Sequence, residues 1–289
     1  MKTFEQITII GVGLLGGSLA RVCKKKGLVK NVVGFGMNPE KLKKAQELGI
    51  IDSYATDLQT AVRHSDLVVL CTPVSTLGPI AGEIAAFLKP GCIVTDVGSV
   101  KKTVVSDIQS QLPDSVYFVG SHPIAGGEKS GFGASSPDLF EQQKCIVTPT
   151  LKTNASALAR VKEFWEQTGM QVISLDVEEH DTIFGAVSHL PHIIAYTLMN
   201  TIGGISTKNH TEVISFSGGG LKDITRIASS NPVMWRDIFL SNKKPVLSLI
   251  DKFQASLQQV RNAIENEDSQ LLEQTFETAN KYRLNLSEE

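Results

Sequence analysis

Two kinds of hydrophobic pattern divide this chain of 289 residues. Up to about residue 175, short apolar runs at residues 6–10, 67–71 and 92–96 alternate with segments of helical period. Such alternation is typical of a mostly parallel, doubly wound sheet. Beyond residue 177, apolar residues recur at intervals of three and four, which predicts helices alone. The pattern therefore predicts an α/β domain over residues 1–175 and an all-helical domain over residues 176–289.

A glycine-rich turn follows the first apolar run. Gly11, Gly13 and Gly16 match the pattern GxGxxG and lie between a strand-like run and a helical stretch. In this setting Gly11 permits a tight turn, Gly13 lets a pyrophosphate approach, and Gly16 allows the helix to pack closely on the strand. Amide groups at the start of the helix then hold the phosphates. The sequence thus predicts a Rossmann-type dinucleotide-binding domain, with candidate contacts at Gly11, Val12, Gly13, Leu14, Leu15 and Gly16.

The end of the second predicted strand bears on the choice between NAD and NADP. An acidic residue about 20 positions beyond the glycines normally binds the adenosine ribose. Gly36 stands at this place, and Met37 and Asn38 follow it. No arginine replaces the acid, so NADP is not positively indicated, whereas Asn38 could hydrogen-bond the ribose hydroxyls. We therefore expect NAD as the cofactor without excluding NADP, and Met37 and Asn38 as candidate contacts.

Further loops follow strand ends at the same edge of the predicted sheet. They are the segment Cys71-Thr72-Pro73 and the segment 98–101, which contains Ser99. Ligands of doubly wound sheets bind outside the carboxyl ends of the strands. Cys71, Thr72, Pro73 and Ser99 are therefore predicted to contact the cofactor.

A histidine lies in the segment SHPIAGGEKSG, residues 121–131, after a predicted strand over residues 117–120. Glycine and proline mark turns, so we expect this segment to be a loop. A histidine whose pKa is near neutrality suits the removal of a hydroxyl proton. We predict that His122 is the general base and that Ser99 orients its imidazole. The alternative is a loop histidine that bonds only to backbone.

The helical half offers further polar side chains. Residues 178–200 have helical spacing with Pro191 inside, and His189 and His192 lie three apart on one face. No third ligand stands at a matching spacing, so polar contacts to a substrate are favoured and no metal site is expected.

A cation in this half is a candidate for anion binding. Arg226 could hold a substrate carboxylate, with Asp223 three residues earlier orienting it. The alternative is a surface ion pair. Trp235 follows on a helix that Asn231 and Pro232 begin, and it is expected in the core. Five or more helices without a sheet of their own predict a substrate domain that also forms a homodimer.

Composition excludes several classes of partner. The net charge is −2, which gives no electrostatic case for nucleic acid. The four cysteines are scattered and form no CxxC pair, which fits a reducing compartment. The N-terminus runs straight into a strand without a signal peptide, and no stretch of about 18 apolar residues is evident. We therefore expect a cytoplasmic protein with no membrane segment.

Seven segments, taken in order, resemble the prephenate dehydrogenase family, which includes arogenate and cyclohexadienyl dehydrogenases. They are GVGLLGGSLA, CTPVSTL, TDVGSVK, SHPIAGGEKSG, VSHLPH, GGGLKDITRIA and NPVMWRDIF. The resemblance extends to about residue 245. It implies an oxidative decarboxylation in tyrosine biosynthesis. Prephenate would lose a hydride from ring C4 to NAD(P) and its ring carboxylate as carbon dioxide, becoming 4-hydroxyphenylpyruvate.

The resemblance also implies roles for individual residues. His122 would hydrogen-bond the C4 hydroxyl and accept its proton, while Ser99 would align this histidine and the nicotinamide. Arg226 would bind a substrate carboxylate. The substrate-binding residues expected on this basis are Ser121, His122, Glu128, His189, His192, Asp223, Arg226 and Trp235.

Alternative functions stay open at this point. Arogenate carries an amine where prephenate has a keto group, and no residue decides between them by spacing. A β-hydroxyacid dehydrogenase or imine reductase shares a Rossmann domain plus helices, but typically uses a lysine on the helical domain. A nucleotide-sensing module would need the glycines without the set of His122, Ser99 and Arg226.

Overall fold

The computed structural model describes residues 4–127, 129–207 and 212–286. Eight strands form one sheet in the order 3-2-1-4-5-6-7-8. They are β1 (Phe4–Ile10), β2 (Val29–Phe35), β3 (Ser53–Ala55), β4 (Leu67–Leu70), β5 (Ile93–Asp96), β6 (Tyr117–Pro123), β7 (Lys144–Thr148) and β8 (Gln171–Ser174). Neighbouring strands are parallel except for β6 and β7, which are antiparallel. The predicted doubly wound, mostly parallel sheet is confirmed.

Helices cover both faces of the sheet. Those between the strands are α1 (Leu14–Lys25), α2 (Pro39–Glu47), α3 (Leu58–Val62), α4 (Val74–Ile84), α5 (Lys102–Gln111) and α6 (Ala155–Thr168). Leu67 and Val69 of β4 belong to one buried cluster, and Val68 and Leu70 belong to another. Because successive side chains of a strand point to opposite faces, β4 is buried on both sides, as a parallel sheet requires.

The predicted helical half is also confirmed, since no strand follows β8 among the described residues. Its helices are α7 (Val177–Phe184), α8 (Leu190–Gly203), α9 (Gly219–Thr225), α10 (Pro232–Ser241), α11 (Lys243–Glu265) and α12 (Ser269–Asn285). The chain divides into two compact units, Met1–Lys243 and Lys244–Glu289. The first unit contains the sheet and helices α1 to α10. The second consists of α12 and nearly all of α11.

Proline positions bear on the form of two helical segments. Helix α4 begins at Val74, directly after Pro73, and contains Pro79 in its interior. The single helix expected over residues 178–200 is instead α7, a π-helical turn at Gly185–His189, and α8. Pro191 has no backbone donor, and a wider turn absorbs such a defect.

One helical run among the described residues, Val177–Gly203, is long and apolar enough by length and composition to cross a membrane. This corrects the expectation that no such stretch exists. One such helix is weak evidence for a membrane span. The run also contains a π-helical turn and the fully buried polar side chains of His180 and His189. We therefore treat it as part of the folded domain.

Candidate active site

The glycine turn is packed tightly at two positions and open at the third. Gly11 has a φ of +101°, and a Cβ there would lie 2.7 Å from the carbonyl oxygen of Cys71. A Cβ at Gly16 would overlap the carbonyl oxygen of Gly11 and lie 2.8 Å from Cγ2 of Ile9. A Cβ at Gly13 would meet nothing within 4 Å. The turn therefore leaves free space at the start of α1, where a dinucleotide pyrophosphate would fit.

A cleft of about 290 Å³ opens beside this turn. Its lining is Gly11, Val12, Gly13, Gly36, Met37, Asn38, Lys41, Leu42, Cys71, Thr72 and Pro73. The cleft thus brings together three of the four segments expected at the cofactor site, and its lining does not include Ser99. Leu14, Leu15 and Gly16 are not part of its lining, and Leu15 packs against the hydrophobic core instead.

Asn38 caps helix α2 at the edge of this cleft. Its Oδ1 accepts a hydrogen bond of 3.0 Å from the backbone N–H of Lys41. The side-chain oxygen is therefore already used, which leaves the amide nitrogen as the donor for a ribose hydroxyl. Met37 is fully exposed beside it.

His122 lies in a strand and not in a loop. Strand β6 pairs with β5 only as far as Val119, and from Gly120 it pairs with the antiparallel strand β7, with His122 opposite Ile146. The expectation of a loop over residues 121–131 is therefore corrected at its start. The glycines that suggested a loop come only after Pro123, where β6 ends.

A hydrogen-bonded row of three side chains begins at Nδ1 of His122 and runs through His180 to Asp181. Nδ1 of His122 lies 2.9 Å from Nε2 of His180, and Nδ1 of His180 lies 2.8 Å from Oδ1 of Asp181. The ring of Phe184 packs on both histidines, with centroids 4.7 Å and 4.6 Å away. Among the described residues, no protein atom bonds Nε2 of His122, and this atom is not sealed from solvent.

The environment keeps both histidines neutral. Burial lowers the pKa of His122 well below its ordinary value, and nearby positive charge, including that of Lys101, adds to the effect. Burial also lowers the pKa of His180, although its bond to Asp181 opposes the shift. A neutral His122 can accept a proton, so the geometry and the charge state suit a general base.

A buried ion pair fixes the backbone beside His122. Lys101 is fully buried, and its Nζ donates to Oδ2 of Asp96 and to the carbonyl oxygen of Ser121, the latter at 2.9 Å. Oδ1 of Asp96 accepts from the backbone N–H of Ser121 at 3.1 Å. Neither Lys101 nor Asp96 was singled out from the sequence, although the segment TDVGSVK contains both.

Two serines were expected beside His122. Ser121 is fully buried, and its Oγ donates to the carbonyl oxygen of Asp96 and accepts from Nε1 of Trp165. The side chain of Ser121 thus faces away from that of His122, because alternate residues of a strand point to opposite faces. The hydrogen-bond partner of His122 Nδ1 is His180, and the orienting role of Ser99 stays a prediction.

The aromatic side chains of the helical segment form a second group. The ring of His192 stacks on Trp235, with centroids 3.5 Å apart and an angle of 24°, and the ring of His189 meets the same indole edge-on at 6.0 Å. Trp235 is buried, as expected. Nε2 of His189 and Nε1 of Trp235 are buried without a hydrogen-bond partner among the described residues.

The predicted cation lies near this group. Burial lowers the pKa of His192, and the charge of Arg226 lowers it further. Arg226 and Asp223 are both exposed, Asp223 in α9 and Arg226 just after it. Glu128, the remaining predicted substrate contact, lies outside the described residues.

Two family models match the chain. One is described as "Prephenate dehydrogenase, nucleotide-binding domain" and matches residues 19–174, and the other as "Prephenate dehydrogenase, dimerization domain" and matches residues 176–278. The cyclohexadienyl dehydrogenase of Zymomonas mobilis is 38% identical over 286 residues, which are 99% of this chain and 97% of that protein. The prephenate dehydrogenase of Bacillus subtilis is 36% identical over 285 residues, 96% of this chain and 75% of that protein.

Solved structures agree with these sequence matches. The prephenate dehydrogenase of Aquifex aeolicus, in complex with hydroxyphenyl propionate and NAD⁺, superposes with a TM-score of 0.91. The two sequences are 41% identical, and the match covers 98% of each chain.

Proposed function

The chain belongs to the prephenate dehydrogenase family, and from this premise we propose that it catalyses the oxidative decarboxylation of prephenate to 4-hydroxyphenylpyruvate with NAD. The observation that carries the proposal is the neutral His122 near the end of β6. Its Nδ1 bonds to His180, and its Nε2 has no protein partner among the described residues. The glycine turn, with its free space at Gly13, supports the dinucleotide.

In this reaction His122 acts on the hydroxyl group at ring C4. Nε2 accepts the hydroxyl proton, so that electrons of the oxygen–hydrogen bond can form the carbonyl as the hydride leaves C4. A nicotinamide cofactor, when bound, accepts that hydride. Loss of the ring carboxylate as carbon dioxide then makes the ring aromatic. Nε2 of His122 returns its proton to the C4 oxygen, so the step consumes no net proton.

The cofactor would be held by the residues of the cleft. The backbone around Gly13 and the start of α1 suit the pyrophosphate, and Met37 and Asn38 suit the adenosine ribose. Cys71, Thr72 and Pro73 also line the cleft. We keep Ser99 as a contact of the nicotinamide, since it follows β5 at the same edge of the sheet.

The substrate would be held from the helical segment. Prephenate carries two carboxylates and the chain has a net charge of −2, so a local cation has to bind the anion. We assign this role to Arg226, and assign pocket-lining roles to His189, His192, Asp223 and Trp235. We further propose that residues 1–175 bind the dinucleotide and that residues 176–289 bind substrate and form the homodimer.

The cellular setting is proposed from the cysteines. All four are free, and burial raises the pKa of Cys92 to about 12, so this thiol is inert. Free, buried thiols fit a reducing compartment, which supports a cytoplasmic enzyme.

The reaction is tested by mixing the protein with prephenate or arogenate, each with NAD or NADP, and following the absorbance of the reduced nicotinamide. We expect turnover with prephenate and NAD. Turnover with arogenate alone would make the protein an arogenate dehydrogenase, the second candidate, which the match to a cyclohexadienyl dehydrogenase keeps open. If no mixture formed reduced nicotinamide although calorimetry showed that NAD binds, the proposed function would be rejected.

Substitution of two glycines should separate cofactor binding from folding. Gly13→Ala places a methyl group in free space that the pyrophosphate would occupy, so the KM for NAD should rise about tenfold or more. Its free energy of unfolding should change by less than about 1 kcal/mol. Gly16→Ala instead meets the backbone of Gly11 and should destabilise the fold by about 3 kcal/mol or more in urea titrations. A wild-type KM for NAD in Gly13→Ala would remove this turn from the site.

A third glycine tests the choice between the two dinucleotides. A Cβ at Gly36 would lie 3.7 Å from Leu42 Cδ2, an ordinary contact, so Gly36→Asp should fold normally. The new carboxylate would repel a 2′-phosphate, so the ratio of kcat/KM for NAD to that for NADP should rise about tenfold. Gly36→Asn has the same shape without the charge and should leave the ratio near that of the wild type. If the two variants had the same ratio of kcat/KM for NAD to that for NADP, the adenosine ribose would not lie beside residue 36.

A further inference from the structure

The row of side chains that begins at His122 ends at Asp181, whose carboxylate accepts hydrogen bonds from two backbone N–H groups. Oδ1 of Asp181 accepts from the backbone N–H of Lys101 at 2.7 Å, and Oδ2 accepts from the backbone N–H of Lys102 at 2.9 Å. Asp181 is nearly fully buried, and these amides begin helix α5. Hydrogen bonds from His180 and both amides outweigh the effect of burial and lower the pKa of Asp181, so it is a carboxylate at neutral pH.

These donors and acceptors determine the direction of every bond in the row. The carboxylate of Asp181 has no hydrogen, so Nδ1 of His180 carries one and donates it. A neutral His180 then has its lone pair on Nε2, and it accepts a hydrogen bond from Nδ1 of His122. Nδ1 of His122 therefore carries the hydrogen, and its lone pair lies on Nε2.

We propose that His180 and Asp181 are positioning residues that hold His122 in the tautomer whose Nε2 is the proton acceptor, and that they stabilise the imidazolium formed when Nε2 takes the hydroxyl proton. The catalytic consequence rests on the proposed function, whereas the tautomer does not. Neither residue was predicted from the sequence.

Burial favours the neutral form of His180, whereas the negative charge of Asp181 beside it opposes this effect. His180 faces His122 of β6, Asp181 of its own helix, Lys101 and Asp96 beside β5, and His189 of the π-helical turn. Lys101 and Asp96 form an ion pair, so their charges largely cancel at His180. The uncompensated charge is that of Asp181, which attracts an imidazolium on His122 through the intervening ring. A carboxylate behind a histidine has this effect in the catalytic triads of proteases.

The tautomer can be read without any substrate or cofactor. The chain has six histidines, so ¹⁵N NMR of histidine-labelled protein gives few signals, and His122→Asn identifies those of His122. In the wild type we expect Nδ1 of His122 to be protonated and Nε2 to be bare. His180→Phe, which keeps a ring but has no acceptor, should lose this preference. His180→Gln, whose Oε1 can accept the same hydrogen bond, should keep it. A wild-type His122 with its hydrogen on Nε2 would overturn the proposal.

Kinetics provide the second readout. His180→Phe should lower kcat about 10²-fold, whereas His180→Gln should lower kcat only about tenfold. The KM should change little in either variant. The acid limb of kcat/KM should move to lower pH in His180→Phe, because the imidazolium loses its acceptor. A move to higher pH would mean that His180 is positively charged in the wild type, and the proposal would be wrong. Wild-type turnover in His180→Phe would also reject it, whereas no turnover by the wild type would reject only the proposed function.

Discussion

Replacing His122 with asparagine is expected to lower kcat about 10²–10⁴-fold, the usual range for the loss of a general base. An amide has no nitrogen that takes a proton near neutral pH, yet its N–H can still donate to His180. The cleft at the glycine turn does not include His122, so the dissociation constant for NAD should be unchanged. Stopped-flow measurement of nicotinamide reduction, with calorimetry for NAD, separates the two effects.

A matched control for this variant is His64→Asn. His64 is exposed, and its change tests whether any loss of histidine affects turnover. We expect wild-type kinetics in the control. Near-normal kcat in His122→Asn would remove His122 from the mechanism, and loss of NAD binding would indicate a disturbed fold instead.

The pH dependence of the wild type gives an independent check on the same residue. The pKa of His122 lies below its ordinary value of 6.5, so the basic form persists as the pH falls through 6.5. The acid limb of kcat/KM, which reports the free enzyme, should therefore begin below pH 6.5. The unfolded chain binds this proton earlier than the folded chain, so the stability conferred by a neutral His122 is lost as pH falls below 6.5. An acid limb at or above 6.5 would contradict this environment.

Local signals made much of the nucleotide-binding half predictable. Strand and helix alternate in short segments, and the apolar runs at residues 6–10, 67–71 and 92–96 are each followed within two residues by a glycine or a proline. The same holds for α10, where Asn231 accepts from the backbone N–H groups of Val233 and Met234 and begins the helix. Such features depend on neighbours in the sequence, so the pattern contains them.

The arrangement around His122 depends on contacts between distant residues. The extension of β6 requires β7, which lies more than 20 residues later in the chain and runs antiparallel. The segment EEHD near the start of α7 has the composition of an exposed helix start, yet His180 and Asp181 are buried because the backbone amides of Lys101 and Lys102 bond to the Asp181 carboxylate. No periodicity reveals a docking of this kind. The buried Lys101 was unexpected for the same reason, since lysine is rarely buried unless it is paired.

Replacing Arg226 with alanine is expected to raise the KM for prephenate, with a smaller change in kcat. Loss of a charge-assisted contact to a carboxylate costs about 2–4 kcal/mol, which corresponds to about 30–1000-fold. The electrostatic effect of Arg226 on His192 supports a place beside the group formed by His192 and Trp235. Initial rates over a range of prephenate concentrations, at saturating NAD, measure the change.

Arg261→Ala is the matched control, because that arginine is also exposed and pairs with the exposed Glu265, one helical turn away, at 3.1 Å. An exposed ion pair contributes about 0–1 kcal/mol, so this variant should keep its KM and lose little stability. If Arg226 served only in a surface ion pair, its variant would behave in the same way, with an unchanged KM and a slightly lower Tm. A large rise in KM in Arg226→Ala alone therefore requires that its charge meets the substrate, because removal of a comparable exposed charge leaves binding intact.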